Sequence, residues 1–153
     1  MFSRIALLLL LCLSVACTPV GRQDNGPAVE LDVIELSIEQ AHRAMRGGRT
    51  SCEQLIQRYL QRIDSYDQPG GLNAIIAVNP NAEQRARALD RRYAESGRMR
   101  RLHCIPVILK DNFDTADMPT EAGSIALRGS IPPDDAELVR RLRGQDAIIL
   151  AKS

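Results

Sequence analysis

The sequence predicts an α/β protein, because segments with the hydrophobic period of a helix alternate with short, continuous apolar runs, and cap or turn residues fall at the junctions. Three runs carry the strand reading: residues 74–78, 105–109 and 147–151. Each is apolar and bounded by polar residues, as suits strands buried on both faces of a parallel or mixed sheet. The expected architecture is therefore a set of amino-terminal helices leading into part of such a sheet.

Residues 1–16 stand outside that fold. Arg4 is followed by an apolar run over residues 5–13 and then by Ser14-Val15-Ala16-Cys17, the layout of a secretory signal peptide. The run is too short for a comfortable membrane span. Ala16-Cys17 resembles the end of a bacterial lipobox, which implies cleavage before Cys17 and lipidation of that cysteine; plain secretion after cleavage at Ala16 is the alternative. Residues 18–27 are polar and rich in Gly, Pro and Asn, so residues 17–35 read as an anchor region and tether. The domain proper is expected over residues 36–153, in a periplasmic, membrane-anchored chain.

Within it, Ser37 and Gln40 form a capping box for a first helix, which Gly47-Gly48 ends. Thr50 and Glu53 repeat the pattern before Cys52, Leu55, Ile56, Tyr59, Leu60 and Ile63, the clearest amphipathic stripe in the chain. After the run at 74–78, Asn79-Pro80 is expected to start a third helix with Ala82, Ala86, Leu89 and Tyr93 facing inward. The run at 105–109 leads into a long irregular stretch. Asp134-Asp135 then cap a helix carrying Leu138, Val139 and Leu142, and the run at 147–151 closes the sequence. Because the chain stops at Lys152-Ser153, with no helix to cover what should be a central strand, it reads as truncated.

Composition excludes several functions. A net charge of +1 over 153 residues supplies no field for nucleic acid. With no Trp, 3 Tyr and 2 Phe, no stacking platform for bases or sugars is expected. The arginine pairs 91–92, 100–101 and 140–141 read as solvated surface. Removal of Cys12 with the signal and lipidation of Cys17 would leave Cys52 and Cys104, which an oxidising compartment would permit to bridge, although their spacing does not say whether they approach. With no C-x-x-C pair and only His42 and His103, each read as a packing or surface residue, no metal site is expected.

Basic residues number 20, yet only two are lysines, Lys110 and Lys152. Lys110 directly follows an apolar strand and precedes a polar loop, the place where α/β proteins put ligand chemistry. An amine half-buried there is easier to deprotonate, and a neutral amine is a usable base. On the physics alone the plainer reading stands first: a strand-end lysine that reaches solvent or pairs with Asp111 or Asp114.

The surrounding residues bear on that choice. Leu102-His103-Cys104-Ile105-Pro106 through Lys110-Asp111-Asn112 resembles the Leu-His-Gly-Ile-Pro-x-x-x-Lys-Asp-Asn segment of the amidase-signature family. Thr120 to Ser124 resembles the Thr-x-Ala-Gly-Ser turn that follows it there, residues 37–67 resemble the opening helix pair, and residues 142–152 resemble the Leu-Arg-x-x-Gly-Ala-x-x-x-Gly-Lys-Thr strand. Cys104 replaces a glycine, Gln145-Asp146 stands where Gly-Ala is usual, and Ala151 and Ser153 replace the glycine and threonine around Lys152.

The resemblance implies hydrolysis of small-molecule carboxylic amides without a cofactor. A serine nucleophile, a second serine in a cis peptide and Lys110 as base would act together, and amides of the glycine-bearing turn would hold the oxyanion. Both serines belong to a Gly-Ser-Ser-Gly-Gly segment beyond the Gly-Lys-Thr strand, and none of Ser124, Ser130 and Ser153 replaces them. The 153 residues alone are expected to be inactive. The competing expectation is a non-catalytic remnant or accessory lipoprotein that keeps the amidase-like layer. A role within a transfer-RNA-dependent amidotransferase is disfavoured, because export would part the chain from that substrate.

Overall fold

The computed structural model describes residues 31–153, so the signal peptide expected over residues 1–16 and the anchor expected at Cys17 lie outside the described residues. Helix α1 (Ile38–Arg46) opens as anticipated, with Ser37 Oγ accepting from the Gln40 N–H and Gln40 Oε1 accepting from the Ser37 N–H. Helix α2 (Cys52–Tyr66) begins one residue later than its expected cap: Ser51, paired reciprocally with Gln54, takes the place assigned to Thr50. Asp90 fixes that start from another helix, its carboxylate accepting from the N–H groups of Cys52 at 2.7 Å and Glu53 at 3.0 Å. These are donors that no helix can satisfy internally.

Helix α3 (Ala82–Ser96) starts later than the expected Asn79-Pro80, although the turn leading into it is still closed by Asn79. Its amide donates to the Ile149 carbonyl at 2.9 Å and to Asp117 at 3.0 Å, while its Oδ1 accepts from the Asn81 N–H. Helix α4 (Glu137–Gly144) has Ala136 at its cap, not the expected Asp134-Asp135. Asp135 instead accepts from the Ala116 N–H and pairs with Arg143. Val139 is buried, but Leu138 faces outward and is 47% exposed.

The sheet is mixed, in the order β1-β3-β2. Strand β3 (Ile148–Lys152) is central and buried at every residue; β2 (Pro106–Leu109) lies parallel to it and β1 (Ala77–Val78) antiparallel. The run at 74–78 is thus not the doubly buried strand expected, and Ile76 is 58% exposed. Asp67 accounts for the shortening: its carboxylate accepts from the Ala74 N–H at 2.7 Å and the Ile75 N–H at 3.3 Å, taking backbone that would otherwise extend the ladder.

Alternation along β3 divides the core. Ile148 and Leu150 pack with Leu55, Ile56, Ala86 and Leu89 of the helical layer, whereas Ile149 packs with Leu109, Met118 and Val139 on the other face. Cys52 and Cys104 form a disulfide with a Cα–Cα distance of 5.3 Å, which tethers the first turn of α2 to the residue two before β2. Among the described residues no helix is long and apolar enough to cross a membrane.

Candidate functional site

The parallel pairing of β2 with β3 brings the two lysines to the same end of the sheet. Leu109 pairs with Lys152, so Lys110 follows directly where β2 ends. Their environments differ completely. Lys110 is exposed, and its side chain makes no hydrogen bond or ion pair among the described residues. Lys152 is 0% exposed. Its ammonium lies 2.9 Å from the Phe113 carbonyl, 3.0 Å from Thr120 Oγ1, 3.2 Å from the Pro119 carbonyl and 3.4 Å from Asp111 Oδ1.

Burying an ammonium costs several kcal/mol unless its protons are satisfied and its charge is met. Three N–H groups and four oxygens do so here, and all four oxygens come from the segment that follows Lys110. The plainer reading of Lys110 as the partner of Asp111 therefore fails. Asp111 is buried and its Oδ1 faces Lys152, while its Oδ2 accepts from the N–H groups of Glu121 at 3.2 Å and Ala122 at 3.1 Å. Its own N–H donates to the Ser153 carbonyl. Sequence reasoning misses this role of Lys152, although its rarity as one of two lysines is an available signal.

The same bonds bear on which amides could hold an oxyanion. Two amides of the glycine-bearing turn, Glu121 and Ala122, are already committed to Asp111. Ala122 and Gly123 at φ 49° and 70° give the turn its shape.

The departures from the family pattern also acquire geometry. Cys104, where a glycine is usual, has φ 63°, the left-handed region in which a Cβ is unfavourable. Asp146 has φ 71°, in the same region, so the residue suited to glycine is Asp146, followed by the matching Ala147. The pattern lies one residue later than the Gln145-Asp146 correspondence.

Asp146 anchors a second buried cluster. It pairs with Arg92, and its Oδ2 lies 3.5 Å from His103 Nδ1. The His103 carbonyl lies 2.9 Å from His42 Nε2, and the ring of Tyr93 packs tilted on that of His103. Both histidines are packing residues, as expected. Burial lowers the His103 pKa, against the opposing pull of Asp146, with Arg92 and His42 also disfavouring the cation.

The unfolded chain therefore binds more protons than the native one below the ordinary histidine pKa of about 6.5. His103 costs no stability above that pH, and stability is lost as pH falls below it toward the lowered native value. The parent melting temperature is expected to drop between pH 7 and 5 more steeply than that of His103→Gln. Parallel pH profiles for the two proteins would count against this origin.

Residues 54–153 match the model of the family described as Amidase. The chain belongs to the amidase family. Among curated members, it is 38% identical over 122 residues to a probable amidase of Arabidopsis thaliana, covering 78% of this chain and 23% of that one. It is 39% identical over 127 residues to a glutamyl-tRNA(Gln) amidotransferase component of Anaeromyxobacter sp. (strain K), covering 82% and 25%. The native peptide amidase of Stenotrophomonas maltophilia superposes with a TM-score of 0.71 at 44% identity, covering 77% of this chain and 24% of that one. An amidase family protein from Bacillus anthracis gives 0.73 at 36% identity, covering 78% and 24%. The α/β fold is that of amidase-signature enzymes over the shared residues, and the chain spans about a quarter of the length of these relatives.

Proposed function

We propose that this chain contributes the proton acceptor of a serine-dependent amidase that hydrolyses carboxylic amide C–N bonds, with Lys110 as the general base. The observation that carries the reading is the environment of Lys110 in a chain of this family: an exposed amine at the carboxyl end of β2, beside an Asp111 that another cation already holds. The neutral amine would take a proton from a bridging serine, which in turn activates the serine nucleophile. No Gly-Ser-Ser-Gly-Gly segment occurs in the 153 residues, so the serines are to be supplied in the test. A hybrid in which the aligned residues of this chain replace the matching quarter of the Stenotrophomonas maltophilia peptide amidase is expected to hydrolyse peptide amides. A folded but inactive hybrid would favour a non-catalytic amidase-like layer.

The same chain is proposed to work in the periplasm, held to the membrane by lipid on Cys17. The signal-like run before Ala16-Cys17 supports this, as does a wholly buried disulfide, which is chemistry of oxidising compartments. Expressed in a bacterium fed labelled fatty acid, the parent is expected to take up label and Cys17→Ser to take up none. Equal labelling of both would overturn the anchor.

A further inference from the structure

We propose that Lys152 is a positioning and charge-compensating residue for Lys110: its buried ammonium neutralises Asp111, so that the carboxylate next to the base does not hold the base protonated. The inference rests on the reading of Lys110 as a base, because only a base must give up its proton before it can act.

Asp111 adjoins Lys110 in the chain and is 4% exposed. An uncompensated carboxylate at that depth would favour the ammonium form of its neighbour, since an anion stabilises a nearby cation and low polarisability around it weakens screening. Lys152 removes that effect from within the core. It is the one cation that pairs with Asp111 among the described residues. The other acids of the segment are placed differently: the Glu121 carboxylate accepts from the Gly129 N–H at 2.7 Å, and Asp114 is exposed, its carbonyl accepting from the Ala136 N–H.

Position and charge are coupled here. The ammonium that cancels Asp111 also binds Phe113, Pro119 and Thr120, and through Asp111 it reaches the turn at Glu121 and Ala122. One buried cation thus fixes the path of the chain as it leaves Lys110. An apolar residue at 152 would fill the space, but it would supply neither the bonds nor the charge.

Two lysines make the test simple, because Lys152 is buried and lysine acetylation within the folded chain reads Lys110, on a peptide separate from the amino terminus. The full chain is treated with acetic anhydride over a pH series, and acetylation of the peptide containing Lys110 is followed by mass spectrometry. Lys152→Met leaves Asp111 uncompensated, so the midpoint for Lys110 should rise by roughly half to one pH unit. Asp111→Asn leaves the Lys152 cation uncompensated and should lower it.

The double variant buries neither charge and should restore the parent midpoint. These opposed shifts and their cancellation are not expected of a residue that merely fills space. Midpoints unchanged in both single variants would overturn the proposal, as would a double variant shifted as far as Lys152→Met. If either single variant fails to fold, the other decides by the sign of its shift. Failure here leaves the base assignment standing, since that depends on turnover in Lys110 variants and not on this titration.

Discussion

Lys110→Ala, placed in the active hybrid with the peptide amidase, is expected to lower amide hydrolysis at least about a hundredfold, because general-base catalysis contributes a factor of about 10² to 10⁴. Groups that act as one unit lose more than that when one is removed. The melting temperature should stay close to the parent's, since the Lys110 side chain is exposed and makes no polar contact among the described residues. Lys110→Arg is the sharper variant. It preserves positive charge and length, yet a guanidinium stays protonated at any working pH and cannot accept the proton. The expected turnover is therefore nearly as low as for Lys110→Ala. An arginine variant that keeps most of the parent rate would return Lys110 to the plainer reading, a strand-end lysine in solvent.

Lys152 separates the two roles by a different signature. Losing one partner of a buried ion pair typically costs about 3–5 kcal/mol, so Lys152→Met should act first on stability, where Lys110→Ala acts on rate alone. The two lysines sit at the same end of adjacent parallel strands, and it is burial that divides their work.

The features legible in the sequence were those that local physics decides. The capping box at Ser37 and Gln40, the stripe from Cys52 to Ile63 and the strands within the runs ending at Leu109 and Ala151 all follow from period and cap chemistry. What escaped was decided by partners distant in sequence. Asp90 sets where α2 begins, Asp67 shortens β1, and Asp135 leaves the start of α4 for Ala116 and Arg143. The same holds at the site. The motif singled out Lys110 from its neighbours in sequence, whereas the work of Lys152 depends on Asp111 and Thr120, 41 and 32 residues away, which no local pattern reports.

The disulfide is the other place where a distant partner changes the meaning of a residue, and its removal is expected to cost stability on the same scale as the loss of Lys152. Closing a loop over a separation of 52 residues restricts the unfolded chain by about 4 kcal/mol in the chain-entropy model. That is a large share of the roughly 5–15 kcal/mol by which domains are stable. Cys104 adds a second element, because its φ of 63° places a Cβ where glycine fits better. The bridge holds a conformation that an unbridged L-residue disfavours by about 1–2 kcal/mol.

Cys52→Ala/Cys104→Ala should accordingly shift chemical denaturation of the full chain by about 4 kcal/mol and lower its melting temperature by on the order of 10 °C. Cys52→Ala/Cys104→Gly should recover about 1 kcal/mol of that, since glycine adopts the left-handed position without strain. The recovery distinguishes backbone strain at residue 104 from loop closure, which both variants lose equally. A double alanine variant as stable as the parent would show that the bridge contributes nothing. Equal stability of the alanine and glycine versions would remove the strain at residue 104 from the account and leave loop closure as the sole effect.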